Sequence, residues 1–307
     1  MSHAATLFRL EVRMGDAMDL RELERFRPLL FSIAYRMIGE VGAAEDVVQE
    51  TFLRAHRVLS DGGEIREPKA FLTEVTTRLA IDHLRSARVR RERYVGQWLP
   101  EPLVDDAPTP EQRAEDLESL SMAFLIVLET LSPVERAVFL LHDVFAFDFE
   151  EVAAVVDRSP ANARQIAVRA RKHVEARRPR FEPSAERKRE LADRFFAAMT
   201  HGDIDALMEM LAEDAVMVGD GGGRGAVREP VTGRRRMARF LAGLGRYAAH
   251  HSLSSERSTV NGQPGIVGYA PDGSVATVVT IDVVDGKVTA VRSVVNPEKL
   301  RHVGRRR

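Results

Sequence analysis

The stretch Asp148-Phe149-Glu150-Glu151-Val152-Ala153-Ala154-Val155-Val156-Asp157-Arg158-Ser159-Pro160-Ala161-Asn162-Ala163-Arg164-Gln165 decides how this chain is read. Asp148 and Glu151 form a capping box: the aspartate oxygen accepts a backbone N–H of the first turn, and the glutamate reaches back to the cap. Phe147, just before the cap, is placed to staple onto Val152. Ser159-Pro160 starts a second helix, with proline at the first helical position, where its missing N–H loses nothing. Only Asp157-Arg158-Ser159 separates the two helices. So short a joint predicts a helix-turn-helix. Ser132-Pro133-Val134-Glu135 caps another helix ahead of it, and residues 113–178 read as one helical unit.

The second helix of this pair sorts its residues by face. Ala163, Ile166, Ala167 and Ala170 form a small apolar side suited to Val152 and Val155. Asn162, Gln165 and Arg169 recur at i, i+3 and i+7, flanked by Arg164 and Arg171 and extended by Lys172 and Arg177. Asn and Gln pair bidentately with adenine, and Arg with guanine, in the major groove. The remaining cations suit phosphates. The competing reading is a solvated basic helix, which leaves the capped helix and short turn before it without a purpose.

Working outward, residues 20–92 also read as helical. Leu30, Ile33, Ala34, Met37 and Ile38 recur at helical spacing, as do Val47, Val48, Thr51, Phe52 and Ala55. A third run, Ala70 to Arg91, carries Phe71, Leu72, Val75, Leu79 and Leu84 on one side. Thr76, Thr77, Arg78, Asp82, His83, Arg85 and Arg88 decorate it, and it ends in Arg90-Arg91-Glu92-Arg93. Such a helix suits one strand of opened DNA, with arginines on phosphates and polar groups framing an unstacked base.

Residues 93–112 read as a linker. Trp98-Leu99-Pro100-Glu101-Pro102 cannot continue a helix, and Asp105-Asp106-Ala107-Pro108-Thr109-Pro110 is polar and proline-rich. The chain's one tryptophan lies inside it, either as a hydrophobic tack or as a regulatory contact. Residues 1–19 read as a tail, with Met14 or Met18 as alternative starts, and residues 301–307 as a basic tail.

Residues 184–300 change character. Two amphipathic helices (Ala192, Phe195, Phe196, Met199; then Ile204, Leu207, Met208, Leu211) precede a short strand, Ala215–Gly219, a glycine-rich loop and a helix around Met237–Tyr247. Strands follow at Ser252–Val260, Gly265–Tyr269, Val275–Val284 and Lys287–Val295. Asn261-Gly262, Pro271-Asp272-Gly273 and Asp285-Gly286 are turns of the kind that tolerate φ > 0. The expected form is an antiparallel meander curved around helices.

Bulk properties narrow the function. The chain has 307 residues, enough for two or three domains of about 100–150 each. It has no cysteine, which excludes disulfides, thiol nucleophiles and cysteine-held metal, and which fits a reducing cytoplasm. No apolar run approaches a membrane span, so no membrane partner is expected. The formal net charge is −1, yet arginines cluster at 85–93, 158–180 and 234–239, while acids gather at 40–50 and 101–118. That segregation suits a chain touching both DNA and another protein.

Several motifs in order carry a resemblance. Ala44-Glu45-Asp46-Val47-Val48-Gln49-Glu50-Thr51-Phe52-Leu53-Arg54-Ala55 resembles the polymerase-binding helix of region 2 in the extracytoplasmic-function sigma factors, and Ala80-Ile81-Asp82-His83-Leu84-Arg85 the −10-reading segment after it. Leu131-Ser132-Pro133-Val134-Glu135-Arg136, with Phe149-Glu150-Glu151-Val152-Ala153 through Val168-Arg169-Ala170-Arg171, is similar to region 4, which reads the −35 element. The resemblance implies that Asp46, Gln49, Glu50 and Arg54 face core RNA polymerase, that Arg78, Asp82 and Arg85 meet the −10 element, and that Asn162, Arg164, Gln165 and Arg169 meet the −35 element. Many relatives carry Asn where Arg78 stands, a departure in the −10 reader.

Residues 184–300 resemble the SnoaL-like, ketosteroid-isomerase-shaped cone domains. Trp98-Leu99-Pro100-Glu101-Pro102, Asp220-Gly221-Gly222-Gly223-Arg224 and Asn296-Pro297-Glu298-Lys299-Leu300 look like signature elements of the sigma subgroup that carries such a domain fused. The resemblance implies two all-α sigma domains (20–92 and 113–178) and an α+β cone, with interdomain regulation through Trp98, Pro100, Asp220, Gly221, Gly222, Gly223, Asn296 and Pro297. From the residues alone, Asp220-Gly221-Gly222-Gly223 is either an anion cradle or a flexible loop. Catalysis would need a base inside the cone, for which Asp203, Asp220, His250 and Asp282 are the candidates. His250 and His251, read as neighbours on a strand, would point to opposite faces, which argues against a metal pair.

The expectation is a sigma factor that is not an enzyme, with no cofactor or metal, and with polymerase and promoter DNA as partners; any ligand of the cone is open. A one-component ligand-responsive regulator leaves residues 20–92 unexplained, and a SnoaL-type enzyme fused to a DNA-binding module explains only the last third.

Overall fold

The computed structural model describes residues 20–91, 94–105, 120–177, 184–225 and 227–304. The tail 1–19, Glu92-Arg93, residues 106–112 of the linker, the first residues of the 113–178 unit and residues 305–307 lie outside the described residues, as do the side chains of Arg88, Arg90 and Arg91.

The first helical group comprises α1 (Leu20–Glu24), α2 (Arg27–Ile38), α3 (Val41–Ser60) and α4 (Pro68–Arg91). α2 stops at Gly39, whose φ of 75° no β-carbon-bearing residue adopts readily and whose N–H closes on the Tyr35 carbonyl. The apolar stripes bury as expected, with Leu30, Ile33, Met37 and Ile38 of α2 against Ala44, Val47, Val48 and Ala55 of α3. α4 departs from expectation at Thr76 and Thr77, which are fully buried and do not face DNA. The Thr76 hydroxyl meets that of Thr51 at 3.0 Å inside the bundle, so the polar atom is satisfied while the methyl packs.

The second group holds α5 (Met122–Leu128), α6 (Pro133–Phe139), a π-helical turn (Leu140–Val144), α7 (Phe149–Val156) and α8 (Pro160–Glu175). Both capping boxes form, at Ser132/Glu135 and at Asp148/Glu151. Hydrogen bonding to Ser132 holds the Glu135 carboxyl below its usual pKa. α7 ends at Asp157 in the left-handed region, and the Ser159 hydroxyl then caps α8 through the Asn162 N–H. The two groups share one hydrophobic core. Across it, buried Arg136 donates to the Met37 carbonyl and pairs with Glu129 at 2.8 Å.

The last group comprises α9 (Ala185–His201), α10 (Ile204–Met210), β2 (Leu211–Asp220), β3 (Val231–Thr232), α11 (Arg234–His250), β4 (Ser254–Val260), β5 (Gln263–Tyr269), β6 (Val275–Val284), β7 (Lys287–Val294) and a 3-10 turn (Pro297–Leu300). β4 to β7 form the expected antiparallel meander. β2 runs longer than expected and joins parallel to β7, so the sheet is mixed. His250 ends α11 and His251 caps it; neither is on a strand, which corrects the earlier placement.

The linker supplies an element of its own. β1 (Val104–Asp105) pairs antiparallel with β4, giving the order β1-β4-β5-β6-β7-β2-β3. The central strands β5 to β7 are largely buried on both faces, which a meander wrapped on helices did not anticipate. Across the ladder, Ile266 pairs with Val279 and Val279 with Ser293, while the next row is Val267, Val278 and Val294. Ile266 and Val279 join the core under α9 and α11. Val267, Val278 and Val294 face the other way and pack with Leu99 and Met122 of the preceding segments. The period of two along a strand makes one sheet a wall shared by two cores.

Candidate polymerase, promoter and interdomain sites

On α3, Asp46, Gln49, Glu50 and Arg54 lie on the face opposite the buried stripe. Arg54 pairs with Glu50 at 2.9 Å. Leu53, in the same row, is 44% exposed, a large apolar group among charges.

On α4, Asp82 and Arg85 are exposed and paired at 3.2 Å. Arg78 does not open to solvent alone. Its guanidinium donates to the Val155 carbonyl at 3.1 Å and the Ala154 carbonyl at 3.0 Å, and it pairs with Glu74 at 2.7 Å. These carbonyls belong to the last turn of α7, where a cation is favourable. The residue expected at the −10 element therefore holds the helix-turn-helix against α4, because the two groups pack directly.

On α8, Gln165 and Arg169 are exposed and Asn162 is half-buried. Arg164 pairs with Glu150 at 3.0 Å and lies over the Phe149 ring, and Arg171 is bound to Asp143. Val168, 61% exposed beside Gln165 and Arg169, was not singled out from sequence.

Residues 94–105 form a strap between the first helical group and the sheet. At its centre Asp220 is fully buried. One carboxylate oxygen accepts from the Leu99 N–H at 2.8 Å and the Lys299 ammonium at 2.7 Å; the other accepts from the Tyr94 hydroxyl and the Gly222 N–H. Lys299 also donates to the Leu99 carbonyl and sits 4.2 Å from the Trp98 ring centre. Burial pushes its amine below the usual value, against the pull of Asp220. Burial pushes the Tyr94 phenol up. Asn296 donates to the Tyr94 hydroxyl at 2.8 Å and caps the turn that Pro297 begins.

Two expectations are corrected here. Asp220-Gly221-Gly222-Gly223 is neither an open anion cradle nor a loose loop, because the Asp220 carboxylate occupies the Gly222 N–H. Gly222 has φ 56°, and a β-carbon on it would lie 2.8 Å from Asn296. Gly221 leaves no room for one against the Arg224 carbonyl, and Gly223 lies against Val95. Trp98 is half-buried over Gly39, where a β-carbon would be 2.9 Å from the indole, and Pro100 is buried beside it.

Three residues sequence reading passed over complete the junction. Glu101 accepts from the Val41 N–H at 2.7 Å, so the strap caps the N-terminus of α3; burial raises this carboxyl. Tyr35, buried in α2, donates to the Glu101 carbonyl and accepts from the Asn261 amide at 2.7 Å. Asn261 is fully buried, donates to the Leu120 carbonyl at 3.1 Å and exchanges two bonds with Leu103. It read only as a hairpin turn, and its φ of 51° with Gly262 at 70° is indeed that turn. Nothing in the local pattern marks a turn side chain that meets three segments.

The base candidates of the cone are held elsewhere. Asp203 caps α10, Asp220 holds the strap, His250 is exposed at the end of α11, and Asp282 pairs with Arg292. Among the described residues no group of acidic and histidine side chains is arranged to hold a metal, and no helix is long and apolar enough to cross a membrane.

A helical bundle, a capped helix-turn-helix and an α+β cone joined by a strap define a transcription initiation factor with a fused cone domain. Family models agree segment by segment: Sigma-70 region 2 matches residues 23–90, Sigma-70 region 4 matches 121–174, and the SnoaL-like domain matches 192–293. The chain is 40% identical to the ECF RNA polymerase sigma factor SigJ of Mycobacterium tuberculosis, over 92% of this chain and 93% of that one. It is 31% identical to the probable ECF RNA polymerase sigma factor SigI of the same species, over 89% and 92%. The crystal structure of Mycobacterium tuberculosis SigJ superposes with a TM-score of 0.72 at 36% identity, covering 92% of this chain and 98% of that one. The chain belongs to the extracytoplasmic-function RNA polymerase sigma factors.

Proposed function

We propose that this chain binds core RNA polymerase through the outer face of α3 (Asp46, Gln49, Glu50, Leu53, Arg54) and directs initiation at promoters read by α4 and α8. Arg78, Asp82 and Arg85 meet the −10 element once Arg78 has left α7; Asn162, Arg164, Gln165 and Arg169 meet the −35 element. The three units are taken as residues 20–92, 113–178 and 184–300, and the fused domain acts as regulator and not as an enzyme. The observation carrying this reading is the Arg78 grip on the Ala154 and Val155 carbonyls. Two elements at −10 and −35 lie about 25 base pairs, roughly 85 Å, apart on B-form DNA. Modules in hydrogen-bond contact cannot read both. The arrangement is therefore the closed, polymerase-free one, and core polymerase supplies the energy that parts the modules.

The test is transcription from a promoter library with core polymerase and the purified chain. Initiation from a defined promoter class is expected, with Gln165→Ala relaxing the −35 preference and little specific duplex binding by the chain alone. Tight sequence-specific binding without polymerase would sink the reading.

A further inference from the structure

The fused domain has a cavity of about 780 Å3, open on one side, between α9, α11 and the concave face of the sheet, within the size range of small-molecule sites. Its wall is built from side chains such as Met199, Met217, Leu241, Ile266 and Val279. Its polar side chains are hydroxyls, among them Thr277 and Ser293, which lie 3.3 Å apart. No acidic, basic or histidine residue is among the described lining residues. An ion transferred there would lose its hydration without a counter-charge. A neutral, largely apolar molecule with a hydroxyl or carbonyl matches the wall.

The cavity also touches the strap's anchor. Val295 and Gly225 both line it. A β-carbon on Gly225 would lie 2.7 Å from Val295 Cγ2, and one on Gly221 3.3 Å from the same atom. The Val295 N–H donates to the Asp220 carbonyl at 2.8 Å. Asp220 in turn holds Leu99 and Lys299 beside Trp98. Along β6 and β7 the alternation repeats this link: Val279 and Ser293 face the cavity, while Val278 and Val294 face the strap's core. Close-packed cores transmit displacement because they do not compress.

We propose that this cavity is the binding site of a neutral, predominantly apolar small molecule, and that its occupancy shifts the Asp220–Lys299 latch on the strap through Val295 and the Gly221–Gly225 loop. The regulatory half of this inference rests on the reading of the fused domain given above; the binding half does not.

The experiment uses the full-length chain without polymerase, so its failure leaves the sigma reading untouched, and failed transcription leaves the site untouched. The neutral dye N-phenyl-1-naphthylamine is titrated for occupancy. It binds saturably at one site, and Ala248→Phe on α11 or Ala276→Phe on β6, each filling a different wall, weakens it by about tenfold or more. Dodecanol displaces the dye at concentrations about tenfold or more below dodecanoate or dodecylammonium. Because Trp98 is the single tryptophan, its emission reads the latch, and saturating dodecanol shifts it. Asp220→Asn, which lies outside the cavity wall, keeps dye affinity within about twofold but mutes the Trp98 response. Dye binding equal in wild type and both filled variants, or a preference for the ionic chains, overturns the site. Full displacement with Trp98 emission unmoved overturns the coupling.

Discussion

Two short joints in this molecule are built in opposite ways. The turn between α7 and α8 is held by its neighbours: Asp148 and Glu151 cap one helix, Asp157 turns the chain, and Ser159 caps the next. The strap from 94 to 105 is held by groups far along the chain, with Leu99 bonded to Asp220 and Lys299, and Leu103 to Asn261. Local caps set a joint's geometry from its own sequence, with packing supplying the rest of its stability. Remote partners make one whose geometry depends on which domains are docked, which is what a regulated connection requires.

The comparison can be broken at the latch first. Asp220→Ala leaves the Lys299 ammonium buried without its carboxylate; its side chain is 7% exposed. Removing one partner of a buried pair costs about 3–5 kcal/mol. The outcome to look for is a separate early unfolding phase followed by Trp98 emission, with limited proteolysis opening within the strap. A variant as stable as wild type would mean the latch carries no energy.

Asn261→Gly is the next largest. Glycine tolerates φ 51°, so the turn and its backbone bond to the Leu103 carbonyl survive while the side-chain bonds to Tyr35, Leu103 and Leu120 go. A buried donor left without a partner costs about 1–3 kcal/mol. If the closed form opposes polymerase, this variant should bind core polymerase more tightly, as measured by competition against wild type. Weaker binding would instead make the docked junction a requirement for competence.

Ser159→Ala sharpens the contrast from the other side. Loss of an N-cap costs about 1 kcal/mol. The loss should register in the melting of the helical groups while native Trp98 emission stays as in wild type. A Trp98 shift of the size seen with Asp220→Ala would show that the two joints are not independent.

The smallest effect concerns Glu101. Burial raises its pKa above the ordinary carboxylate value, so the docked strap binds the proton more tightly than the free strap. Its contribution is fully present below the ordinary value of 4.5 and is lost as pH rises through the raised one. Docking should tighten modestly on the acid side, read by Trp98-monitored denaturation at stepped pH, and Glu101→Gln should flatten that profile. A steeper profile in the variant would assign the titration to another group.

Sequence alone determined the elements whose forces are local. Caps, apolar periodicity and φ > 0 turns placed the helix-turn-helix, the α3 face and the β4–β7 meander, because each depends on residues within a few positions. Gln165 and Arg169 were legible as an outward face for the same reason. Only tertiary structure decided the rest. Thr76 and Thr77 look like outward polar residues but are buried, since the helix faces a neighbour there. Arg78 has the chemistry of a DNA contact, yet it meets α7 carbonyls once the two helical groups pack. Asn261 and Lys299 became junction residues through partners 141 to 226 and 79 to 200 positions away. Burial and long-range pairing depend on which surfaces meet, and a local pattern fixes a side chain's direction along its own element without saying what lies opposite.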